Sequence, residues 1–232
     1  MLHAWFEALA ACLPARCEVC RTWPARPVCD ACLQHFATPV TRCVRCARVV
    51  HTPGTCDDCR RTPPALDSCH AALAYAFPWP DLIARFKFRA EPGWAHTFAR
   101  LMRAAPGVDR AVQAADRVLP LPLGPRRLAE RGYNQALELA RRLAPRKVDA
   151  RSLVRWRETA PQTTLDRTHR LGNVDGAFVV EPTRAPALRG AHLMLVDDVM
   201  TSGASLSAAA LALRRAGAAS VSALVLARTD DC

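Results

Sequence analysis

The sequence predicts an α/β protein in which a mostly parallel sheet flanked by helices follows a small cysteine-rich module. Two observations support this prediction. Residues 193–196 form an apolar run, Leu-Met-Leu-Val, that is typical of a strand covered on both faces, and a turn and an Ala- and Leu-rich helix follow it. Far upstream lie four Cys-x-x-Cys pairs, all within residues 17–59. We therefore place the cysteine-rich module in residues 1–64 and the α/β domain in residues 65–232.

The remaining elements of the α/β domain follow from local patterns of apolar and turn residues. They are a strand at 68–77, helices at 81–90 and 93–104, a strand at 117–123, a helix after Asn134, a short strand at 177–180, a helix from the turn to about 216 and a last strand at 220–227. The strand at 117–123 contains two prolines, which suit the edge of a sheet. Residues 124–135 resemble a loop, and the alternative is one long helix from Pro125 that tolerates Gly132.

Composition restricts the location and chemistry of the protein. The chain has 232 residues and a formal charge of +11, and no apolar stretch approaches the ~20 residues of a membrane span. Residues 1–14 contain Glu7 and lack a basic segment, which favours a short amphipathic helix over a signal peptide. We therefore expect a cytoplasmic protein without a membrane span. In that compartment eleven cysteines indicate metal binding rather than disulfides.

The four Cys-x-x-Cys pairs predict structural zinc. Two residues between thiols allow both sulfur atoms to face one ion. Consecutive four-cysteine sites are the simplest arrangement, although the spacing also permits interleaved pairing, and redox dithiols are the competing interpretation. We expect one or two Zn²⁺ ions, with the second site less certain than the first. The predicted ligands are Cys17, Cys20, Cys29 and Cys32 in the first site, and Cys43, Cys46, Cys56 and Cys59 in the second.

A second candidate site follows the apolar run. Asp197 and Asp198 lie at the carboxyl end of the predicted strand, where open α/β sheets hold their ligands. The turn after them is built from small and hydroxyl-bearing residues, Thr201, Ser202, Gly203, Ala204 and Ser205. Gly203 allows close approach of the backbone, and the helix N-terminus binds anions. A phosphate fits the turn and the carboxylates suit sugar hydroxyls or magnesium, so the pattern predicts a phosphorylated ribose.

Two further segments carry positive charge or candidate loops. Residues 126–157 contain ten basic side chains against three acidic ones, which suits phosphates of a nucleotide or of nucleic acid. Lys87, at the end of a predicted helix, either caps that helix or reaches a substrate phosphate. Residues 155–174 are polar and basic without periodicity, and we expect either a loop that closes over a substrate or an ordered surface connection.

The strand, the two acids and the Thr-Ser-Gly-Ala-Ser turn resemble the phosphoribosyl-pyrophosphate (PRPP) loop of type I phosphoribosyltransferases. With the cysteine pairs, the Lys87-Phe-Arg segment and the Arg-Leu-Ala-Glu-Arg-Gly-Tyr-Asn-Gln segment that ends at Gln135, the chain is similar to the ComF competence family. The resemblance implies a type I phosphoribosyltransferase-like domain. It also implies PRPP binding by Asp197, Asp198, Thr201, Ser202, Gly203, Ala204, Ser205, Arg131 and Gly132, with Mg²⁺, and catalytic roles for Asp197, Asp198 and Arg131.

The resemblance links the chain to natural transformation or to the use of DNA, and two functions stay open. The first is a phosphoribosyltransferase that acts on PRPP and an unidentified acceptor. The second is a non-catalytic module that senses PRPP or holds single-stranded DNA or a DNA-import helicase. The basic segment contains few aromatic residues, Tyr133 and Trp156, which limits base stacking with a single strand.

Overall fold

The computed structural model describes residues 15–157 and 176–229. Its contacts divide the chain into two compact units, Met1–Thr38 and Pro39–Cys232. The first group of four cysteines lies in the smaller unit and the second in the larger one. The proposed domain boundary at residues 64 and 65 stays a prediction. The second cysteine group is nevertheless part of the larger unit, where the amide of Cys69 donates to the carbonyl oxygen of Val44 at 2.8 Å.

The helices and strands agree in type and order with most of the predicted elements. The helices are α1 (Asp30–Phe36), α2 (Asp57–Arg61), α3 (Trp79–Phe88), α4 (Trp94–Ala104), α5 (Val108–Ala114), α6 (Pro125–Arg131), α7 (Gln135–Leu143) and α8 (Ala204–Arg215), with a 3₁₀ helix at Pro182–Leu188. The strands are β1 (Ser68–Ala74), β2 (Arg117–Pro120), β3 (Leu153–Arg155), β4 (Phe178–Val180), β5 (His192–Met200) and β6 (Ser220–Arg228). Helix α5 was not predicted.

A four-stranded parallel sheet forms the centre of the larger unit, with the order β1-β6-β5-β2. The inner strands β5 and β6 are covered on both faces, which explains why their sequences are apolar runs rather than alternating patterns. Strand β2 lies at one end of this order, as predicted from the prolines at positions 120 and 122, of which Pro120 is its last residue. The α/β prediction is therefore confirmed, with a mostly parallel sheet flanked by helices.

The helices cover both faces of this sheet. Helix α4 packs on β1 and β6, and α7 packs on α4, β2 and β5. Helix α8 packs on β6 and on β4, and its Leu206 and Leu213 are buried in the same core as Leu195. Because neighbouring residues of a strand point to opposite faces, each inner strand contributes to both of these layers.

Strand β4 lies outside the main sheet. It pairs with β3 in a two-stranded antiparallel ribbon, in which Leu153 is opposite Val180. The predicted helix in residues 1–14 and most of the predicted loop at 155–174 lie outside the described residues. Within the part of the chain that the structure describes, no helix is both long and apolar enough to cross a membrane.

Candidate functional site

The two carboxylates lie inside strand β5 rather than after it. The strand continues through Asp197 and Asp198 to Met200, and Asp197 is paired in register with Val225 of β6. The predicted end of the strand at residue 196 is therefore wrong, because pairing with β6 carries the acids along. Asp198 is buried, with 5% of its surface exposed, and Asp197 is partly buried. Both acids still lie near the carboxyl end of an inner parallel strand, where the sequence places the ligand.

The turn after β5 has the geometry expected of an anion site. Gly203 has a φ of +78° and precedes the first residue of α8, so a left-handed residue ends the turn and starts the helix. The Ser202 hydroxyl accepts a hydrogen bond from the amide of Ala204 at 3.4 Å. A Cβ atom at Gly203 would collide with Cε of Met200, so the Met200 side chain leaves no room for a larger residue at position 203.

Lys87 reaches this site from another element. It lies in the last turn of α3, and its Nζ is 2.8 Å from Oδ1 of Asp198. Only 17% of the Lys87 side chain and 8% of the Asp198 side chain are exposed. The same Oδ1 accepts a hydrogen bond from the amide of Val199 at 2.6 Å. The two roles predicted for Lys87 are a helix cap and a contact with a phosphate. The contact that the structure shows is an ion pair with Asp198.

One sequence signal points to Lys87. The chain has 32 basic residues, of which only Lys87 and Lys147 are lysines. Lys147 donates to the carbonyl oxygens of Val112, Gln113 and Ala115 at the end of α5, so it also has a specific structural role. A compact ammonium group in an arginine-rich chain indicates a position that requires a point charge.

The segment around Arg131 packs on the end of α3. Helix α6 ends at Arg131, and Gly132 follows with a φ of +76° and open space around its Cα. Neither the loop nor the long helix predicted for residues 124–135 is correct, because the left-handed Gly132 separates two helices. The Arg131 guanidinium lies 5.1 Å from the centre of the exposed Phe88 ring, and the Tyr133 hydroxyl donates to the carbonyl oxygen of Phe86.

Asn134 and Gln135 hold the start of α7. The Asn134 side chain accepts a hydrogen bond from the amide of Leu137 at 3.3 Å, which confirms the predicted N-cap, and donates to the carbonyl oxygen of Leu121 at 3.1 Å. The side-chain oxygen of Gln135 accepts from Arg131 at 3.0 Å. Arg131 is thus oriented by its own helix junction.

The electrostatics connect these groups. Burial, and then the charge of Asp198, raise the pKa of Asp197 to about 7, while the charges of Lys87 and Arg131 act in the opposite direction. The acids and the turn at 201–205 follow one another along the chain, and Lys87 contacts Asp198 from α3. Arg131 contacts Phe88 at the end of the same helix, and its charge acts on Asp197.

The two cysteine groups fit a tetrahedral metal site. In each group the four Sγ atoms lie within 4.8 Å of one another. A tetrahedral ion with Zn–S bonds of ~2.3 Å separates its sulfur atoms by about 3.8 Å. Three distances between Sγ atoms lie close to that value, namely Cys17 to Cys32 at 3.8 Å, Cys20 to Cys29 at 3.6 Å and Cys46 to Cys56 at 3.7 Å.

The arrangement of these groups resolves the pairing. Each site uses two consecutive Cys-x-x-Cys pairs, so the simple arrangement is correct and the interleaved one is wrong. The described cysteines are free thiols rather than disulfides. Backbone amides support thiolates in both groups, because that of Cys29 donates to Cys17 Sγ at 3.4 Å and that of Cys56 to Cys43 Sγ at 3.2 Å. Both groups could therefore hold a zinc ion.

The basic segment is partly neutralised by its own acids. Glu138 pairs with Arg141 at 2.9 Å and with Arg142 at 2.8 Å, and Arg126 pairs with Glu130 at 2.9 Å. These are helical neighbours three or four residues apart, so three of the ten basic side chains lie in ion pairs within a helix, while the net positive charge of the segment remains.

Comparisons with known proteins agree with this geometry. A family model described as the phosphoribosyl transferase domain matches residues 128–232. A protein from Escherichia coli K12 named DNA utilization protein YhgH is 31% identical over 227 residues, which cover 94% of this chain and 98% of that protein. Competence protein F of Haemophilus influenzae is 32% identical over 182 residues, covering 75% of this chain and 78% of that protein. The chain belongs to the ComF family.

Two more distant likenesses complete the comparison. Competence protein ComFC of Streptococcus pneumoniae is 27% identical over 161 residues, covering 69% of this chain and 68% of that protein. A solved structure described as the allosteric regulatory enzyme of purine biosynthesis has a TM-score of 0.37 and 16% identity, covering 61% of this chain and 29% of that one. The last likeness is too low to carry an argument.

Proposed function

We propose that this ComF-family chain binds PRPP with Mg²⁺ at the end of β5 and transfers its phosphoribosyl group. The proposal is supported by one observation at the carboxyl end of β5. Two acids and a turn that contains Gly203 follow one another there, and the cations Lys87 and Arg131 act on the acids. Asp197 and Asp198 would hold the ribose hydroxyls and the metal, and residues 201–205 would hold the 5′-phosphate. Carboxylate oxygens are the ligands that Mg²⁺ prefers, so the donor set fits the ion.

The chain's own residues would act mainly by charge and position. The nucleophile of the acceptor would form a bond to C1 of the ribose as the bond from C1 to the pyrophosphate oxygen breaks, and the acceptor would then lose a proton. Lys87 and Arg131 would stabilise the negative charge that develops on the leaving pyrophosphate, and bound Mg²⁺ would supply further positive charge. Such a reaction needs little covalent chemistry from the protein.

Lys87 has a second consequence for ligand binding. Lys87 neutralises Asp198, so a ribose or metal that binds Asp198 would compete with the Lys87 ammonium. The released ammonium then becomes available for the phosphate groups of the same ligand. Lys87 would therefore exchange one anionic partner for another rather than lose its partner, which lowers the cost of opening a buried ion pair.

The biological role would be the use or uptake of DNA, and this rests on the names of the relatives. A second candidate is a binding module for single-stranded DNA. One observation favours it: Trp156, 74% exposed, lies between Arg155 and Arg157, and aromatic and arginine side chains together bind single strands. A DNA affinity that falls steeply with salt and depends on Trp156 would support this candidate.

Calorimetry and turnover separate the two functions. We expect PRPP with Mg²⁺ to bind the wild-type chain, and Asp198→Asn to weaken binding by about 1–3 kcal/mol, whereas the control Glu130→Gln on the exposed surface should not. Pyrophosphate release in the presence of a panel of bases and amines tests catalysis. If PRPP binds but no pyrophosphate is released with any acceptor, a non-catalytic module that senses PRPP is favoured. If PRPP does not bind, the proposal is contradicted.

A further inference from the structure

A buried arginine connects the second cysteine group with the turn at residues 201–205. Arg228, the last residue of β6, is 2% exposed. Its Nε donates to the carbonyl oxygen of Cys46 at 3.1 Å, and its Nη1 donates to the carbonyl oxygen of Met200 at 3.4 Å and to Thr229. Cys46 is one of the four potential metal ligands, and Met200 is the residue immediately before the turn.

Arg228 is a charged residue in an almost fully buried position. Among residues 15–157 and 176–229, its hydrogen-bond acceptors are three carbonyl oxygens and one hydroxyl, and none is a carboxylate. A buried charge is costly unless it is paired. Four thiolates and one Zn²⁺ carry a net charge of about −2, so a metal-loaded second site would place negative charge next to the guanidinium.

Met200 is the point at which this arginine meets the turn. Its carbonyl oxygen also accepts from the amide of Thr229 at 3.0 Å, and its Sδ lies 3.6 Å from the buried Sγ of Cys69. Its Cε occupies the space that a side chain at Gly203 would need. The main chain and side chain of Met200 are thus both held, and the left-handed Gly203 packs directly on them.

A cavity of 710 Å³ lies beside this arginine, and Cys46, Cys59, Ser202, Ala204 and Arg228 are among its lining residues. A polar connection between the cysteine group and the turn runs from the Cys46 carbonyl oxygen through Arg228 to the Met200 carbonyl oxygen, next to the contact of Met200 with Cys69.

We propose that Arg228 is a positioning residue that couples metal binding at the second cysteine group to ligand binding at residues 201–205. Loss of the metal frees Cys46 and removes the negative charge that stabilises Arg228, and the Met200 carbonyl then loses one of its two donors. The turn shifts away from the geometry that binds phosphate. By thermodynamic reciprocity, a ligand bound at the turn must also strengthen metal binding at the second site.

The proposal rests on the proposed function only for the identity of the ligand. Its test measures release of Zn²⁺ from the full chain to a coloured chelator, with and without PRPP and Mg²⁺. At equilibrium with the chelator, we expect the ligand to raise the affinity of the chain for one of the two metal ions about tenfold, and to leave the affinity for the other unchanged as an internal control. If both affinities are unaffected while calorimetry shows PRPP binding, the coupling is wrong.

Two variants assign the coupling to Arg228. Arg228→Lys keeps the charge but cannot span both carbonyl oxygens, so the ligand-dependent protection should disappear and the PRPP affinity should fall about tenfold. The matched control is Arg214→Met, because Arg214 also joins two segments, donating to the carbonyl oxygen of Ala65 at 2.8 Å and to Asp67, but at the far end of α8. This control should retain the protection and change the affinity less than about twofold.

A third measurement needs no ligand and separates this inference from the proposed function. In the absence of PRPP, Arg228→Lys should bind one of its two metal ions about tenfold more weakly than Arg214→Met does, since its charge no longer lies in place beside Cys46. Equal metal affinities overturn the link between Arg228 and the metal site. If the two variants differ in this way but the wild-type chain binds no PRPP, the proposed ligand is refuted and the link stays in place.

Discussion

The ion pair between Lys87 and Asp198 predicts a large energetic coupling. At 2.8 Å the Coulomb energy of two unit charges is about 6 kcal/mol for an effective dielectric constant of ~20. Removing both groups from water offsets much of this energy. We therefore expect a coupling of about 2–3 kcal/mol in the free energy of unfolding. Lys87→Met alone should cost about 3 kcal/mol, because it leaves Asp198 beside Asp197 without a nearby ammonium.

A double-mutant cycle measures this coupling. The free energy of unfolding would be determined for the wild type, Lys87→Met, Asp198→Asn and the double variant by denaturant titration without added Mg²⁺. Trp79 and Trp94 are buried in α3 and α4, close along the chain to Lys87, so intrinsic fluorescence reports unfolding of the larger unit. The double variant should lose less stability than the sum of the single variants.

An exposed ion pair in the same chain provides the control. Arg126 and Glu130 are 2.9 Å apart, but 78% and 57% of their side chains are exposed. Their cycle should give a coupling below about 0.5 kcal/mol, because solvent screens such pairs. A coupling for Lys87 and Asp198 that is no larger than this control value would refute the assignment of Lys87 to the site.

Three further predictions follow from the structure. Chelator-washed protein should hold two zinc ions by elemental analysis, and Cys46→Ser should hold one; two ions in this variant would contradict the second site. Gly132→Ala should cost about 1 kcal/mol of stability through its positive φ, and Gly203→Ala should cost more, because its Cβ meets Met200; equal unfolding energies would contradict this. Asp197→Asn should raise the melting temperature at pH 8 without added Mg²⁺, but not at pH 4. In the folded wild type Asp197 retains its proton up to a pKa of about 7, whereas in the unfolded chain it loses the proton near pH ~4. The stability of the wild type therefore falls as pH rises from ~4 through 7, and that of the asparagine variant does not fall for this reason. A difference in melting temperature that is the same at pH 4 and pH 8 would refute this sign.

The local pattern of residues 193–205 predicts most of the structure of this segment, apart from the end of β5. A buried strand, a left-handed glycine and a small-residue helix are all encoded within one short segment. The end of β5 was misplaced because its polar residues Asp197 and Asp198 suggest a loop. Their place in the strand depends on pairing with β6, a tertiary effect that a local pattern does not contain.

The contacts that complete the site could not be predicted in the same way. Lys87 and Asp198 are separated by more than a hundred residues, and each is compatible with several partners when considered alone. The equal spacing of the cysteine pairs likewise permits both consecutive and interleaved sites, and only the fold decides between them. The predicted loop at 155–174 lies largely outside the described residues and stays a prediction.

The positions of Lys87 and Arg228 suggest why the site depends on the whole larger unit. Lys87 approaches the end of β5 from α3 and neutralises Asp198, an acid of the proposed ligand site. Arg228 approaches from β6 and connects the residue before the phosphate turn to a metal ligand. Both side chains are cations in largely buried surroundings, where an unpaired charge is strongly unfavourable. The second cysteine group, whose Cys46 carbonyl oxygen accepts a hydrogen bond from Arg228, accordingly packs as part of the larger unit.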